Sequence, residues 1–262
     1  MEQLVANAKT AGAALQELGV FSKTEKPFFL TEAQIGKVRG DIFETVCRAL
    51  LWNCCAAQNT ARRASPIAVL SLGDNYDLRK LFTPESGQKL DAYTAALAKK
   101  DISLSYSTPD LIVLDLARLP QKARLHFKEP ISDLSLASQD RMDSSRKIVE
   151  GSVTPGDVIL ACGLKTSIRS DRMFQFLFEA NAWKFIWRRV FSLPACPYYS
   201  ITSQTFGADP GRLRSIDFSG LGGADTATRA IDSVTEISSP ADVQQWFATS
   251  LRAALGARAT RS

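Results

Sequence analysis

The sequence predicts an α/β fold of mixed α+β character, with helices flanking a central sheet, and three stretches carry that expectation. Asp157-Val158-Ile159-Leu160-Ala161-Cys162 is an apolar run of strand length, opened by the turn signal Thr154-Pro155-Gly156. Leu111 to Leu116 is a second such run, aliphatic except for Asp115, and it reads as a buried strand entered through Thr108-Pro109-Asp110. Met173 to Phe191 has no Gly or Pro and reads as one helix, with Ser170 or Asp171 at its N-cap. At 262 residues, 45% hydrophobic and 23% charged, the chain can bury one sizeable core, and a single domain over 1–262 is expected.

In chain order, Thr31-Glu32-Ala33-Gln34 fits a capping box, and apolar positions continue at helical spacing to about Leu51. Phe43, Val46, Cys47, Leu50 and Leu51 form the buried side of that helix, and Glu44 lies beside the stripe. Ala64 to Leu72 holds a short strand. Pro84 to Lys100 is an amphipathic helix with Leu90, Tyr93, Ala96 and Leu97 on one side. After the Leu111 strand, whose Pro109 has no ladder bond to lose, residues 117–156 form a long polar excursion that holds a short helix. Pro197 to Thr202 returns to the sheet, Ala208-Asp209-Pro210-Gly211 is a turn, and Arg212 to Phe218 alternates as another strand. Ser239-Pro240-Ala241-Asp242 starts a final helix to about Leu255. No internal repeat is present.

Composition narrows the chemistry. A net charge of +5 and a pI near 9.0 lean toward a polyanionic partner. No apolar stretch reaches the ~18 residues of a membrane span, and Met1-Glu2-Gln3-Leu4 does not begin a signal peptide. The five cysteines (Cys47, Cys54, Cys55, Cys162, Cys196) lie in or beside apolar runs without a C-x-x-C pair, as reduced thiols of a cytoplasmic protein do. The single histidine, His126, leaves no His pair for zinc and little scope for a Ser-His-Asp triad. No phosphate loop of the Walker or Rossmann kind occurs. Chemistry must come from carboxylates, lysine and arginine.

The stretch Cys162 to Arg172 gathers such groups. Lys165 leaves the end of a buried strand, Arg169, Asp171 and Arg172 crowd the start of the next helix, and Glu179 follows two turns later. Arg172, Gln175 and Glu179 share one helix face, with tip and acid ~10 Å apart. Phe174, Leu177, Phe178 and Phe185 form another stripe, read as the core side. Asp110 at a strand mouth, Lys165 and Glu179 together suit phosphodiester hydrolysis, in which carboxylates hold Mg²⁺ and a lysine orients water. The commonest nuclease arrangement keeps a second acid two residues before the lysine. Here that position is Gly163, and Glu179 can replace the acid from the helix. Taken singly, each residue has a plainer reading: Asp110 as a turn former, Glu44 as an exposed helix carboxylate, the arginines and Asp171 as a cap with surface ion pairs.

Taken together, Thr108-Pro109-Asp110, Lys165-x-x-Ile168-Arg169-Ser170-Asp171-Arg172, the spacing to Glu179, and Gly40-x-x-Phe43-Glu44 upstream resemble the type II restriction endonucleases that recognise sites with a CCGG core. These are a branch of the PD-(D/E)xK nucleases with a relocated glutamate. The matching motifs cover roughly a quarter of the chain in the same order. Gly163 departs from the serine usual in that family.

The resemblance implies a restriction-endonuclease-like core with a central mixed β-sheet. It implies Mg²⁺ bound by Asp110 and Glu179 with Glu44 supporting, and Lys165 assisting the attacking water. Arg169 and Arg172 are suited to guanine O6 and N7, and Asp171 to cytosine N4. It further implies a homodimer or homotetramer acting on palindromic double-stranded DNA in a bacterial cytoplasm, leaving 5′ extensions with 5′-phosphates, alongside a methyltransferase of the same site. Readers of the bases flanking the core are expected around Lys37 to Arg39 or in the basic 118–147 excursion. Two alternatives stay open. A non-cleaving sequence-specific DNA-binding protein would need the basic tip but not Asp110, Lys165 and Glu179 together. A repair or recombination nuclease of the same superfamily would not need Arg-Ser-Asp-Arg.

Overall fold

The computed structural model describes residues 32–61, 65–73, 76–102, 108–168, 173–205, 209–215 and 229–259. Five strands pair in sequence order: β1 (Ile67–Ser71), β2 (Leu111–Asp115), β3 (Val158–Lys165), β4 (Tyr198–Thr202) and β5 (Ser233–Glu236). β1, β2 and β3 are antiparallel neighbours, whereas β3, β4 and β5 run parallel, so the sheet is mixed as expected. β1 and β4 are buried along their whole length, and β2 and β3 everywhere but their last residue. Burial on both faces is why these segments read as continuous apolar runs rather than alternating ones.

Seven α-helices surround the sheet among the described residues: α1 (Glu32–Thr60), α2 (Pro84–Ala98), α3 (Gln121–His126), α4 (Leu136–Val149), α5 (Met173–Phe185), α6 (Pro210–Ser215) and α7 (Pro240–Ala259). α1 crosses β1 and β3 and packs on α7. It runs well past Leu51, and Asn59 near its end fixes it to the sheet. Asn59 Nδ2 donates to the carbonyls of Ile67 and Phe127, and its Oδ1 accepts from the Ile67 N–H. Cys162 lies in the field of Cys47 on α1, while neighbouring Gly163 faces Phe176 on α5. Strand alternation therefore puts α1 and α5 on opposite faces of the sheet.

Several expectations change. The 117–156 excursion holds two helices, α3 and α4, rather than one. Arg141 on α4 donates to the carbonyls of His126 and Glu129, and Arg146 to that of Leu72, so part of the basic charge ties the excursion to the sheet. The expected strand at Arg212 begins instead as α6, with residues 216–218 outside the described residues. Asp209 caps it: the Gly211 N–H donates to Asp209 Oδ1 and the Leu213 N–H to the Asp209 carbonyl. Asp-Pro-Gly is here a helix start with Pro at the first position, not a free turn.

β5 was not expected, because Ser-Val-Thr-Glu is short, polar and only half-buried. On α2, Leu90 is buried, but Tyr93 and Leu97 are half-buried and Ala96 is exposed. The capping box at Thr31 and the cap at Ser170 or Asp171 lie outside the described residues.

The face of α5 is corrected too. Phe174 is 65% and Phe178 53% exposed, and Phe185 is also exposed. Phe176, Leu177, Ala180 and Trp183 are the residues that turn inward. Glu179, expected on a polar face, is itself 7% exposed. Past Phe185 the helix widens into a π-helical turn, Ile186–Val190, that keeps Ile186 and Trp187 in the core. From α5, buried Lys184 pairs with Asp232 at 2.6 Å and donates to the Arg229 carbonyl. Asp232 Oδ2 in turn accepts from the Tyr198 N–H at 2.7 Å, which links α5, β4 and the entry to β5.

All five cysteines are free, and all but half-buried Cys54 are buried. Among the described residues no helix is long and apolar enough to cross a membrane.

Candidate active site

Asp110 sits immediately before β2, after buried Pro109. Its carbonyl accepts from the Leu72 N–H at 3.2 Å, which fixes the strand mouth against the end of β1. Its side chain turns to β3, where Oδ2 accepts from the Leu164 N–H at 2.6 Å. Lys165, the last residue of β3, places Nζ 3.6 Å from the same oxygen and 5.6 Å from the Phe176 ring centroid. The antiparallel pairing of Leu111 with Cys162 creates this meeting. An acid just before one strand and a lysine at the end of the next must emerge side by side.

Glu179 reaches the same place from α5. Gln175 Nε2 donates to Glu179 Oε1 at 3.2 Å, as expected for residues one helical turn apart. The Tyr198 hydroxyl, from β4, lies 3.5 Å from Oε2. Burial holds the Glu179 carboxyl above the ordinary carboxylate range. The Lys165 charge opposes that shift and the Asp110 charge adds to it, so all three groups lie in one another's fields. The same carboxylates, after burial, push up the fully buried Tyr198 phenol.

Glu44 approaches from α1, on the other face. The Ser71 hydroxyl donates to its Oε1 at 3.5 Å, and Ser71 is paired in register with Leu111, the residue after Asp110. Glu44 also adds to the shift of the Cys47 thiol, which burial chiefly raises to about 12. The structure thus brings Asp110, Lys165 and Glu179 together, while Glu44 meets Ser71 on the other face of the sheet. Among the described residues no three His, Cys, Asp or Glu side chains gather into one ligand group. Asp110 and Glu179 lie in each other's fields with Lys165 beside them, and two carboxylates are hard oxygen donors suited to a cation such as Mg²⁺. Arg169, Asp171 and Arg172 lie outside the described residues.

Beside the end of β3 a groove of about 690 Å³ opens, lined by residues including Arg39, Phe43, Thr166, Ser167, Ser203 and Gln204. Lys37 is exposed and pairs with Asp41 at 3.4 Å. Two site residues escaped the sequence reading. Ser71 had no distinguishing signal. Tyr198 was visible only as part of a β-rich run, and its one trace is the glycine at 163.

The model of the Cfr10I/Bse634I restriction endonuclease family matches residues 15–253. Among solved structures, the chain is similar to the type IIF restriction endonuclease Bse634I determined with cognate DNA, at 21% identity and a TM-score of 0.79. That alignment covers 94% of this chain and 85% of the other. A second structure of Bse634I restriction endonuclease aligns at 22% identity and a TM-score of 0.77, over 93% and 84% of the two chains. At this identity the likeness shows the fold. No curated protein matches the sequence.

Proposed function

The chain belongs to the Cfr10I/Bse634I restriction endonuclease family, and from that premise we propose that it is a Mg²⁺-dependent type II enzyme cutting double-stranded DNA at a palindrome with a CCGG core. The products carry 5′ extensions, 5′-phosphates and 3′-hydroxyls. The observation that carries the proposal is the convergence of Asp110 from the mouth of β2, Lys165 from the end of β3 and Glu179 from α5.

In this reading Asp110 and Glu179 hold the metal. Burial chiefly raises the proton affinity of Glu179, with the Asp110 charge adding to it, and a divalent cation held between the two would offset both. When bound, Mg²⁺ supplies positive charge that polarises the phosphate and makes water a better nucleophile at neutral pH. Lys165 Nζ orients the attacking water and stabilises the charge that develops on the phosphate oxygens as the bond to the 3′ oxygen breaks. The Leu164 N–H fixes one oxygen of Asp110, so that carboxylate is held in place before substrate arrives. Glu44, whose carboxylate accepts from the Ser71 hydroxyl, would support the metal site.

Arg169 and Arg172 read guanine, Asp171 reads cytosine, and Arg39 in the groove beside β3 is the reader we assign to a flanking base. A palindrome calls for two equivalent copies, so the working form is a homodimer or homotetramer, in a bacterial cytoplasm that also holds a methyltransferase for the same site. The test is to incubate the protein with Mg²⁺ and a plasmid of known sequence and to sequence the ends. Discrete staggered cuts in CCGG-containing sites support the proposal. Cuts without sequence preference favour a repair-type nuclease, and binding without cutting favours a DNA-binding protein.

A further inference from the structure

We infer that the Tyr198 hydroxyl takes over the place of a side chain at position 163 and acts as the positioning residue for Glu179. The inference rests on the nuclease reading of Glu179 given above.

Position 163 is two before Lys165, so strand alternation turns it to the same face as the lysine. There the common nuclease arrangement keeps an acid and the resembling family a serine. In this chain it is Gly163, and the space above it is filled. A Cβ added at Gly163 would lie 2.8 Å from the Tyr198 hydroxyl oxygen and 3.2 Å from Phe176 Cζ. The glycine is not there for its backbone freedom, since it lies within β3, a regular strand. It is there because another residue's polar end occupies its side-chain position.

That polar end is well placed to serve the site. Tyr198 is 0% exposed, so its ring cannot swing out to water, and a buried phenol needs a partner. Its hydroxyl lies 3.5 Å from Glu179 Oε2, while Gln175 holds Oε1. One donor on each oxygen fixes the carboxylate plane and leaves lone pairs for a cation, because a carboxylate offers about four acceptor sites. The Tyr198 backbone is itself anchored, its N–H donating to Asp232 Oδ2. Relocating the glutamate from strand to helix thus comes with a matched pair: a glycine that makes room and a tyrosine that supplies the hydroxyl.

The experiment measures Mn²⁺ binding by electron paramagnetic resonance, without DNA, on the full chain and on Tyr198→Phe, Gly163→Ala, Gly163→Ser/Tyr198→Phe and Glu179→Gln. Thermal melting is recorded for each. Removing an outer partner of a ligand typically weakens metal binding on the order of 10–100-fold. Tyr198→Phe is expected to weaken Mn²⁺ binding on the order of tenfold, and the Mg²⁺ needed for half-maximal cleavage rises in step. Gly163→Ala, which keeps the phenol but pushes its hydroxyl aside, is expected to do the same. Adding Gly163→Ser to Tyr198→Phe restores a hydroxyl and part of the affinity. If both Tyr198→Phe and Gly163→Ala bind Mn²⁺ as the parent does, while Glu179→Gln does not bind, the positioning role is overturned and Glu179 remains a ligand. If Glu179→Gln binds Mn²⁺ and cleaves as the parent does, the reading of Glu179 itself has failed.

Discussion

Asp110 and Lys165 meet at the open end of the β2–β3 pair, with Nζ 3.6 Å from Oδ2, while the Leu164 N–H holds that same oxygen at 2.6 Å. The carboxylate is therefore fixed by the backbone of the strand that delivers the lysine. Substituting Asp110→Asn keeps an acceptor for Leu164 and removes the charge. The expected result is intact folding with Mn²⁺ binding weakened by at least ~10-fold, read by the same resonance titration. Unchanged Mn²⁺ binding would show that Asp110 is only a structural acceptor.

Glu179 carries a charge that burial disfavours. Its folded pKa is raised, so its contribution to stability is full below the unfolded carboxylate range and is lost as pH rises through the folded value. Glu179→Gln is therefore expected to melt higher than the parent at pH 8, with the difference shrinking as pH falls, while cleavage is lost. For a chain of this size each kcal/mol relieved raises Tm by roughly 2–4 °C. Parent metal binding should weaken with falling pH from above the ordinary carboxylate range, since the ligand must lose its proton. Equal melting of the two proteins across pH 5–8 would contradict this.

Lys184 and Asp232 join α5 to the entry of β5, and Asp232 also holds the Tyr198 backbone. Burial pulls the Lys184 ammonium down, and Asp232 opposes that. Lys184→Ala removes one partner of a buried pair, which costs on the order of 3 kcal/mol. Chemical denaturation is expected to show that loss, with the sites of cleavage unchanged below the melting transition. A loss under ~0.5 kcal/mol, the usual effect of a surface change, would contradict the pairing's role.

Arg169→Ala and Arg172→Ala are each expected to cost ~1–3 kcal/mol of discrimination between CCGG and singly altered cores. Competition binding on both duplexes measures it. An equal loss on every sequence would mark these arginines as phosphate contacts.

What the sequence disclosed follows from which features are local. Leu111 to Leu114 and Val158 to Cys162 are apolar throughout because both sheet faces are covered, so the strands were legible. Asp110 and Lys165 were legible because strand ends fix where their neighbours emerge. β5 was not, because a half-buried Ser-Val-Thr-Glu is no more apolar than a loop. Asp209-Pro210-Gly211 has the same composition whether it turns or caps, and only the bonds to Gly211 and Leu213 decide. On α5, aromatics surround the helix, so spacing could not select Phe176 and Trp183 over Phe174 and Phe178 as the inward set. Tyr198 meets Glu179 and fills the space a side chain at 163 would take, a relation between distant positions that no local pattern encodes.

The most direct test of the central claim is single-turnover cleavage, with saturating Mg²⁺, of a duplex bearing one mapped CCGG site, comparing the parent with Lys165→Ala. The account predicts a fall of at least ~10³-fold in the cleavage rate, with the affinity for the same duplex kept within about threefold, less than 1 kcal/mol. Cleavage by Lys165→Ala at the parent's rate would contradict the assignment of Asp110, Lys165 and Glu179 as the catalytic centre.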